Sequence, residues 1–146
     1  ARLACSNPKI WSGLAGAALE NMSRFVPQNI SNTSWAFGTI EWLDRPLFDA
    51  ISAAAVPRIR EFSAQDKANT TWAFARLELR SQALLASISE ESLQRIHEYS
   101  RQHMTNIAWA FGKLNVCDRP LMNALQVRSL ETMHDSAPQD ISSMAW

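Results

Sequence analysis

The sequence predicts an all-α protein, an α-solenoid of stacked helix-turn-helix units with a 37-residue period. Three observations predict it. Trp35, Trp72, Trp109 and Trp146 are separated by 37 residues each time, with no insertion or deletion. The segments around them agree: Asn32-Thr33-Ser34-Trp35-Ala36-Phe37-Gly38, Asn69-Thr70-Thr71-Trp72-Ala73-Phe74-Ala75, Asn106-Ile107-Ala108-Trp109-Ala110-Phe111-Gly112 and Ser143-Met144-Ala145-Trp146. A second column, Asn7, Asp44, Ser81 and Asp118, repeats at the same interval and consists of residues whose side-chain oxygens cap helix N-termini.

Each unit reads as two helices. Helix A carries the Trp-Ala-Phe motif and is expected to start near Pro27, Ser63, Ser100 and Pro138, where capping or first-turn residues share a column, and to end near residues 43, 79 and 116. Helix B follows from about residues 45, 82 and 119, with an earlier one starting near Pro8. Two of its caps lead into Arg45-Pro46-Leu47 and Arg119-Pro120-Leu121, and proline is tolerated in a first turn because its missing N–H would be unpaired there anyway. Pro57, after Ala53-Ala54-Ala55, predicts a kink or break in the second helix B.

The chain thus divides into approximate units 1–25 (partial), 26–62, 63–99, 100–136 and 137–146 (partial), forming a single array. Ala1-Arg2-Leu3 aligns with Ala75-Arg76-Leu77, so both ends fall inside helices and further units are expected to flank this stretch. Ile30, Phe37 and Ile40 on helix A, and Leu47, Phe48, Ile51 and Ala54 on helix B, have helical spacing. One hairpin cannot bury these faces alone, and stacking neighbours joins them into a continuous core.

Composition excludes several function classes. With 14 basic and 14 acidic side chains the formal charge is zero, so no net field draws the chain to nucleic acid or membrane. No apolar run approaches the roughly 20 residues that cross a bilayer. Cys5 and Cys117 make neither a CxxC pair nor a disulfide framework and are expected as small buried hydrophobes. His97 and His134 share a column, and His103 has no carboxylate or cysteine at ligand spacing, so no metal or cofactor is expected. Glu90-Glu91 is expected as a solvated helix turn, and no residues form a catalytic constellation, so no enzymatic activity is expected.

Three columns on helix A are candidates for binding. Gln28, Gln65 and Gln102 lie four positions before Asn32, Asn69 and Asn106, and Thr39, Arg76 and Lys113 lie seven positions after them. Offsets of four and seven share one helical face. That face is constant in Gln and Asn and variable in Thr, Arg and Lys, as a modular reader of a linear polymer requires, although a solvated surface would carry the same pattern. The asparagines sit in a helix they disfavour, which either an amide ladder to backbone or neighbouring unit, or hydrogen bonding to a ligand, would offset. The tryptophans are expected mainly as packing between stacked helices, with base stacking as the alternative.

The Asn-x-x-Trp-Ala-Phe-(Gly/Ala)-x-(Leu/Ile) core resembles the octotricopeptide and heptatricopeptide repeats, and the resemblance covers the whole chain. It implies an array of paired helices that is imported into a plastid or mitochondrion and binds organellar single-stranded RNA for processing, stabilisation or translation. It implies RNA-facing roles for Gln28, Asn32, Thr39, Gln65, Asn69, Arg76, Gln102, Asn106 and Lys113. The alternative is a protein-binding scaffold or structural subunit of a large organellar complex, which the neutral charge favours. Either partner is macromolecular, with no small-molecule substrate expected. Because RNA affinity draws on phosphate neutralisation, and only Arg76 and Lys113 are basic in these columns, this stretch alone is expected to bind RNA weakly.

Overall fold

The structure is a computed structural model that describes residues 7–134. The expectations for Cys5, Pro138, Trp146 and the partial units beyond these limits lie outside the described residues.

Among the described residues the protein is all-helical, with seven α-helices and no strand. They are α1 (Pro8–Asn21), α2 (Pro27–Thr39), α3 (Arg45–Ala55), α4 (Ala64–Arg76), α5 (Gln82–Gln94), α6 (Arg101–Lys113) and α7 (Arg119–His134). Short 3-10 turns, Met22–Arg24, Val56–Glu61 and Ile96–Glu98, follow α1, α3 and α5. The break expected at Pro57 is the passage from α3 into the second of these turns.

Local chemistry sets the helix starts. Asn7, Asp44, Ser81 and Asp118 accept from the N–H groups of Lys9, Leu47, Leu84 and Leu121 at 3.0, 2.9, 3.4 and 3.0 Å. Helices α4 and α6 begin with reciprocal capping boxes. Ser63 Oγ accepts from the Asp66 N–H while Asp66 accepts from the Ser63 N–H, both at 3.1 Å. Ser100 and His103 repeat the arrangement at 3.3 Å, with His103 Nδ1 as acceptor.

The helix ends differ from expectation. Helices α2, α4 and α6 stop at Thr39, Arg76 and Lys113, three or four residues earlier than the apolar pattern suggests. Glu41, Glu78 and Asn115 adopt left-handed φ values of 56°, 56° and 53°. Their N–H groups donate to Gly38, Ala75 and Gly112, and the next N–H groups, from Trp42, Leu79 and Val116, reach back to Phe37, Phe74 and Phe111 at 3.0, 2.8 and 2.9 Å. These bonds define a Schellman motif, which closes a helix on a left-handed residue and tucks the following apolar side chain under it. Sequence reading missed them because glycine, their usual marker, is absent from all three left-handed positions.

Helix α4 packs along α2 on one side and α6 on the other, while α3 packs between α1 and α5, and α5 against α7. The core lies between these two sets. Phe37, Phe74 and Phe111 are buried with Leu47, Phe48, Ile51, Leu84 and Ile88. Trp11 meets Phe37 edge-on at 5.4 Å between ring centroids, and Phe48 meets Phe74 in the same way at 5.0 Å. Burying each such ring contributes about 1.5–3 kcal/mol.

The packing between stacked helices expected of the tryptophans is seen at Trp72, which lies against the core and Gly38 of α2, and less at the other two described ones. Trp35 and Trp109 are 49% and 41% exposed, and Trp72 is partly buried. The reason is angular: residues two apart on an α-helix point about 200° apart. Once the phenylalanines face the second set of helices, the tryptophans must face away.

Polar ties join successive helices. Ser52 and Ser81 share a hydrogen bond of 2.7 Å, and Ser89 donates to Asp118, so each of these caps is also held by the preceding helix of its set. Arg58 pairs with Glu61 and donates to the Phe25 carbonyl at 2.8 Å. Arg95 pairs with Glu98 and donates to the Arg60 carbonyl at 3.1 Å.

One polar cluster is sunk into the core. Lys67 is 1% exposed at the position of α4 that Ile30 fills in α2 and Met104 in α6. Desolvation holds its amine below the usual lysine range, with Arg95 adding repulsion and Glu91, Glu98 and Asp66 opposing. Glu91 is buried and accepts from Arg60 at 3.1 Å, so of the expected solvated pair only Glu90 is exposed. Tyr99 shares a 2.6 Å hydrogen bond with Ser92, and burial pushes its hydroxyl up to about 12. Cys117, expected inside, is exposed in the turn before α7.

Candidate functional site

The nine residues of the three polar columns all reach the surface. On α2 they are Gln28, Asn32 and Thr39, on α4 Gln65, Asn69 and Arg76, and on α6 Gln102, Asn106 and Lys113. Asn69 and Asn106 are half-buried and the other seven exposed. Because α4 lies between α2 and α6, the three stripes form one face.

Gln28, Asn32, Gln65 and Asn69 line a single polar cleft of about 210 Å³ across the seam of α2 and α4. Ser63 and Asp66, the capping pair of α4, complete its wall. Their part in the site was legible only as a helix start, since nothing in the spacing tells which neighbour a cap will face. Of the two alternatives for the asparagines, the amide ladder is not seen: among the described residues the side chains of Asn32, Asn69 and Asn106 make no hydrogen bond. In a helix, such amides hold donors and acceptors outward at a small cost in propensity.

Both bases in the columns are paired across a seam. Arg76 contacts Glu41, and Lys113 Nζ lies 3.2 Å from Glu78. Each acid is the left-handed residue that closes the preceding helix of the face, so the Schellman turn aims it at the last turn of the next helix. Glu41 and Glu78 stand 37 residues apart in the sequence, a column of acids that could have been read beside the bases. All four side chains are substantially exposed, so each pair contributes only about 0–1 kcal/mol and is readily exchanged for another partner.

The tryptophans belong to this face as well. Trp35, Trp72 and Trp109 follow the asparagines by three positions and precede Thr39, Arg76 and Lys113 by four. Each stripe therefore runs Gln, Asn, Trp, then Thr or base. The rings of Trp72 and Trp109 lie 6.4 Å apart at 32°. The face can offer amide donors and acceptors, flat aromatic surface and two exchangeable cations, on a nearly neutral background.

Elsewhere, a cavity of about 500 Å³ lies between α3 and α5, lined in part by Arg45, Phe48, Ser52 and Arg80, and includes none of the column residues. Among the described residues no group of three His, Cys, Asp or Glu is arranged to hold a metal ion, and no helix is long and apolar enough to cross a membrane.

A search of curated proteins found no match to this chain. A family model described as RNA-editing substrate-binding complex 6 protein matches residues 1–145, nearly the whole sequence. The chain belongs to the RNA-editing substrate-binding complex 6 protein family.

Proposed function

We propose that this chain is a non-catalytic helical-repeat module, an α-solenoid of 37-residue units like the octotricopeptide and heptatricopeptide arrays, that works as a subunit of an RNA-editing complex and holds single-stranded RNA along the face of α2, α4 and α6. The observation that carries this reading is the cleft in which Gln28, Asn32, Gln65 and Asn69 converge with amides that are not consumed by internal bonding. Carboxamides pair in bidentate fashion with base edges, and sequence-selective RNA recognition uses the exposed edges of unpaired bases. The family description, with its RNA-editing substrate-binding complex, points to the same class of ligand. Residence in a plastid or mitochondrion is part of the proposal and rests on the repeat resemblance.

The pairing of Arg76 with Glu41 and Lys113 with Glu78 favours a second reading, in which the face docks another subunit of the complex. Binding of labelled single-stranded RNA to the 146-residue chain and to an Asn32→Ala, Asn69→Ala, Asn106→Ala variant separates the two. RNA binding that the triple variant weakens at least tenfold supports the first. No RNA binding at low salt by the wild type, together with a stoichiometric protein partner lost in the variant, establishes the second.

A further inference from the structure

We propose that the cavity between α3 and α5 docks an acidic peptide segment of another subunit, with one apolar side chain entering the cavity while flanking carboxylates meet Arg45 and Arg80. The proposal goes beyond the RNA reading above and does not depend on it, since the cavity includes none of the column residues of α2, α4 and α6.

The cavity lies inside the array: α3 is flanked by α1 and α5, and α5 by α3 and α7. Its shape is held by bonds already made. Ser52 of α3 and Ser81, the cap of α5, share the 2.7 Å hydrogen bond that ties the two walls together. The Leu79 N–H reaches the Phe74 carbonyl at 2.8 Å, and both residues line the cavity. Val56 and Pro57, where α3 gives way to its 3-10 turn, add to the wall. The result is a preformed hollow of about 500 Å³, within the range of a ligand pocket.

Floor and opening differ in chemistry. Phe48 and Phe74, both buried, form an apolar floor with Val56 and Leu79. Arg45 and Arg80 line the cavity and are exposed, and among the described residues neither makes a hydrogen bond or ion pair. Two unpaired guanidiniums beside an apolar floor suit an anionic group joined to an apolar one, since an anchor that fills a pocket gains most when its polar rim is also matched.

A peptide meets this demand better than a nucleotide. The two hydroxyls of the lining, Ser52 and Ser81, are bonded to each other, so a base buried there would leave its polar edge unpaired. Carboxylates pair with guanidinium in bidentate fashion. Asp49 also lines the cavity and is a like charge to phosphate and carboxylate alike, but a peptide backbone brings N–H donors to satisfy it.

The following unit shows that this chemistry is particular to one place. At the same columns, a smaller cavity of about 170 Å³ between α5 and α7 has Gln82, Ala86 and Cys117 where the first has Arg45, Asp49 and Arg80. Arg80 borders both, but the lining of the second holds no further cation. A by-product of stacking would recur with the same surface; a docking site for one partner need not.

The test is selection from a random peptide display library on the 146-residue chain, followed by fluorescence anisotropy of the selected peptides with wild type, Arg45→Glu/Arg80→Glu and Ala53→Phe. The two arginines and Ala53 are exposed, so both variants should fold, which circular dichroism checks. The expected peptides carry Asp or Glu on either side of an aromatic or aliphatic residue. They should bind each variant at least about tenfold more weakly, and bind an Asn32→Ala, Asn69→Ala, Asn106→Ala variant unchanged. Selection of no peptide, of peptides without acids, or of peptides whose binding both folded cavity variants leave intact overturns the proposal. ATP or single-stranded RNA that binds wild type and is lost in Arg45→Glu/Arg80→Glu assigns the cavity to a nucleotide and overturns it too. RNA binding lost only in the asparagine variant concerns the amide cleft, so the two readings fail separately.

Discussion

Gly38 of α2 and Ala73 of α4 meet so closely that a Cβ placed on Gly38 would lie 2.9 Å from both Cα and Cβ of Ala73. Contacts that short do not occur between real carbon atoms, so any side chain at Gly38 must push the two helices apart. The seam that holds the amide cleft and the Trp72 ring is set by this one missing methyl group.

Gly38→Ala should therefore destabilise the protein by about 1–3 kcal/mol, the usual cost of overpacking, even though alanine is the better helix former. Gly16→Ala in α1, where an added Cβ meets nothing within 4 Å, should instead stabilise by up to about 1 kcal/mol. Urea denaturation of both variants checks the contrast. Equal behaviour would mean that the α2–α4 approach is not limited by Gly38.

Lys67→Met should raise stability by about 1 kcal/mol or more at neutral pH, since it removes a desolvated amine and restores the side chain found at Met104. The sign of the pH dependence follows from the lowered pKa. Folded Lys67 binds fewer protons than the unfolded chain, so stability rises with pH between the lowered folded value and 10.5, and the cost is fully present below that window. Tyr99 acts in the opposite sense above pH 10, because its proton is held more tightly when folded. Thermal melts of wild type and Lys67→Met from pH 7 to pH 10 should converge as pH rises. A constant gap would show that Lys67 does not titrate early.

Asn115 closes α6 with φ of 53° and donates to Gly112 at 3.1 Å. Asn115→Val should cost about 1–2 kcal/mol, because a β-branched residue clashes in the left-handed region, whereas Asn115→Gly should be neutral or better. Thermal melts of the two variants decide this. A harmless valine would show that the turn can close in another way.

His103 accepts from the Ser100 N–H through Nδ1, which requires the neutral ring. Desolvation lowers its pKa below 6.5, so the folded state binds fewer protons, and stability present above 6.5 is lost as pH falls below it. His103→Asp reproduces the Ser63–Asp66 box of α4 and should flatten the stability profile between about pH 7 and 5.5, since a carboxylate titrates lower. Melting temperatures across that range test the assignment. An unchanged slope would place the titration elsewhere.

Local chemistry wrote most of the helical framework into the sequence. Caps such as Asp44, Ser63 and Asp118 bond to N–H groups three residues away, so short windows locate helix starts wherever the chain goes. The helix ends at Glu41, Glu78 and Asn115 were harder to read, because left-handed closure is unmarked when glycine is not used. The period in turn showed that the Gln, Asn and Thr/Arg/Lys columns share a helical face.

The tertiary structure alone decided which apolar face turns inward. Phe74 and Trp72 are both large and apolar, and nothing within α4 selects between them; the position of Phe48 on α3 does. It likewise decided that Glu91 is buried against Arg60, that Lys67 fills a core position, and that Arg76 and Lys113 meet acids from a neighbouring turn. These outcomes depend on residues some 24 to 35 positions apart in sequence, and such distances close only when the helices pack.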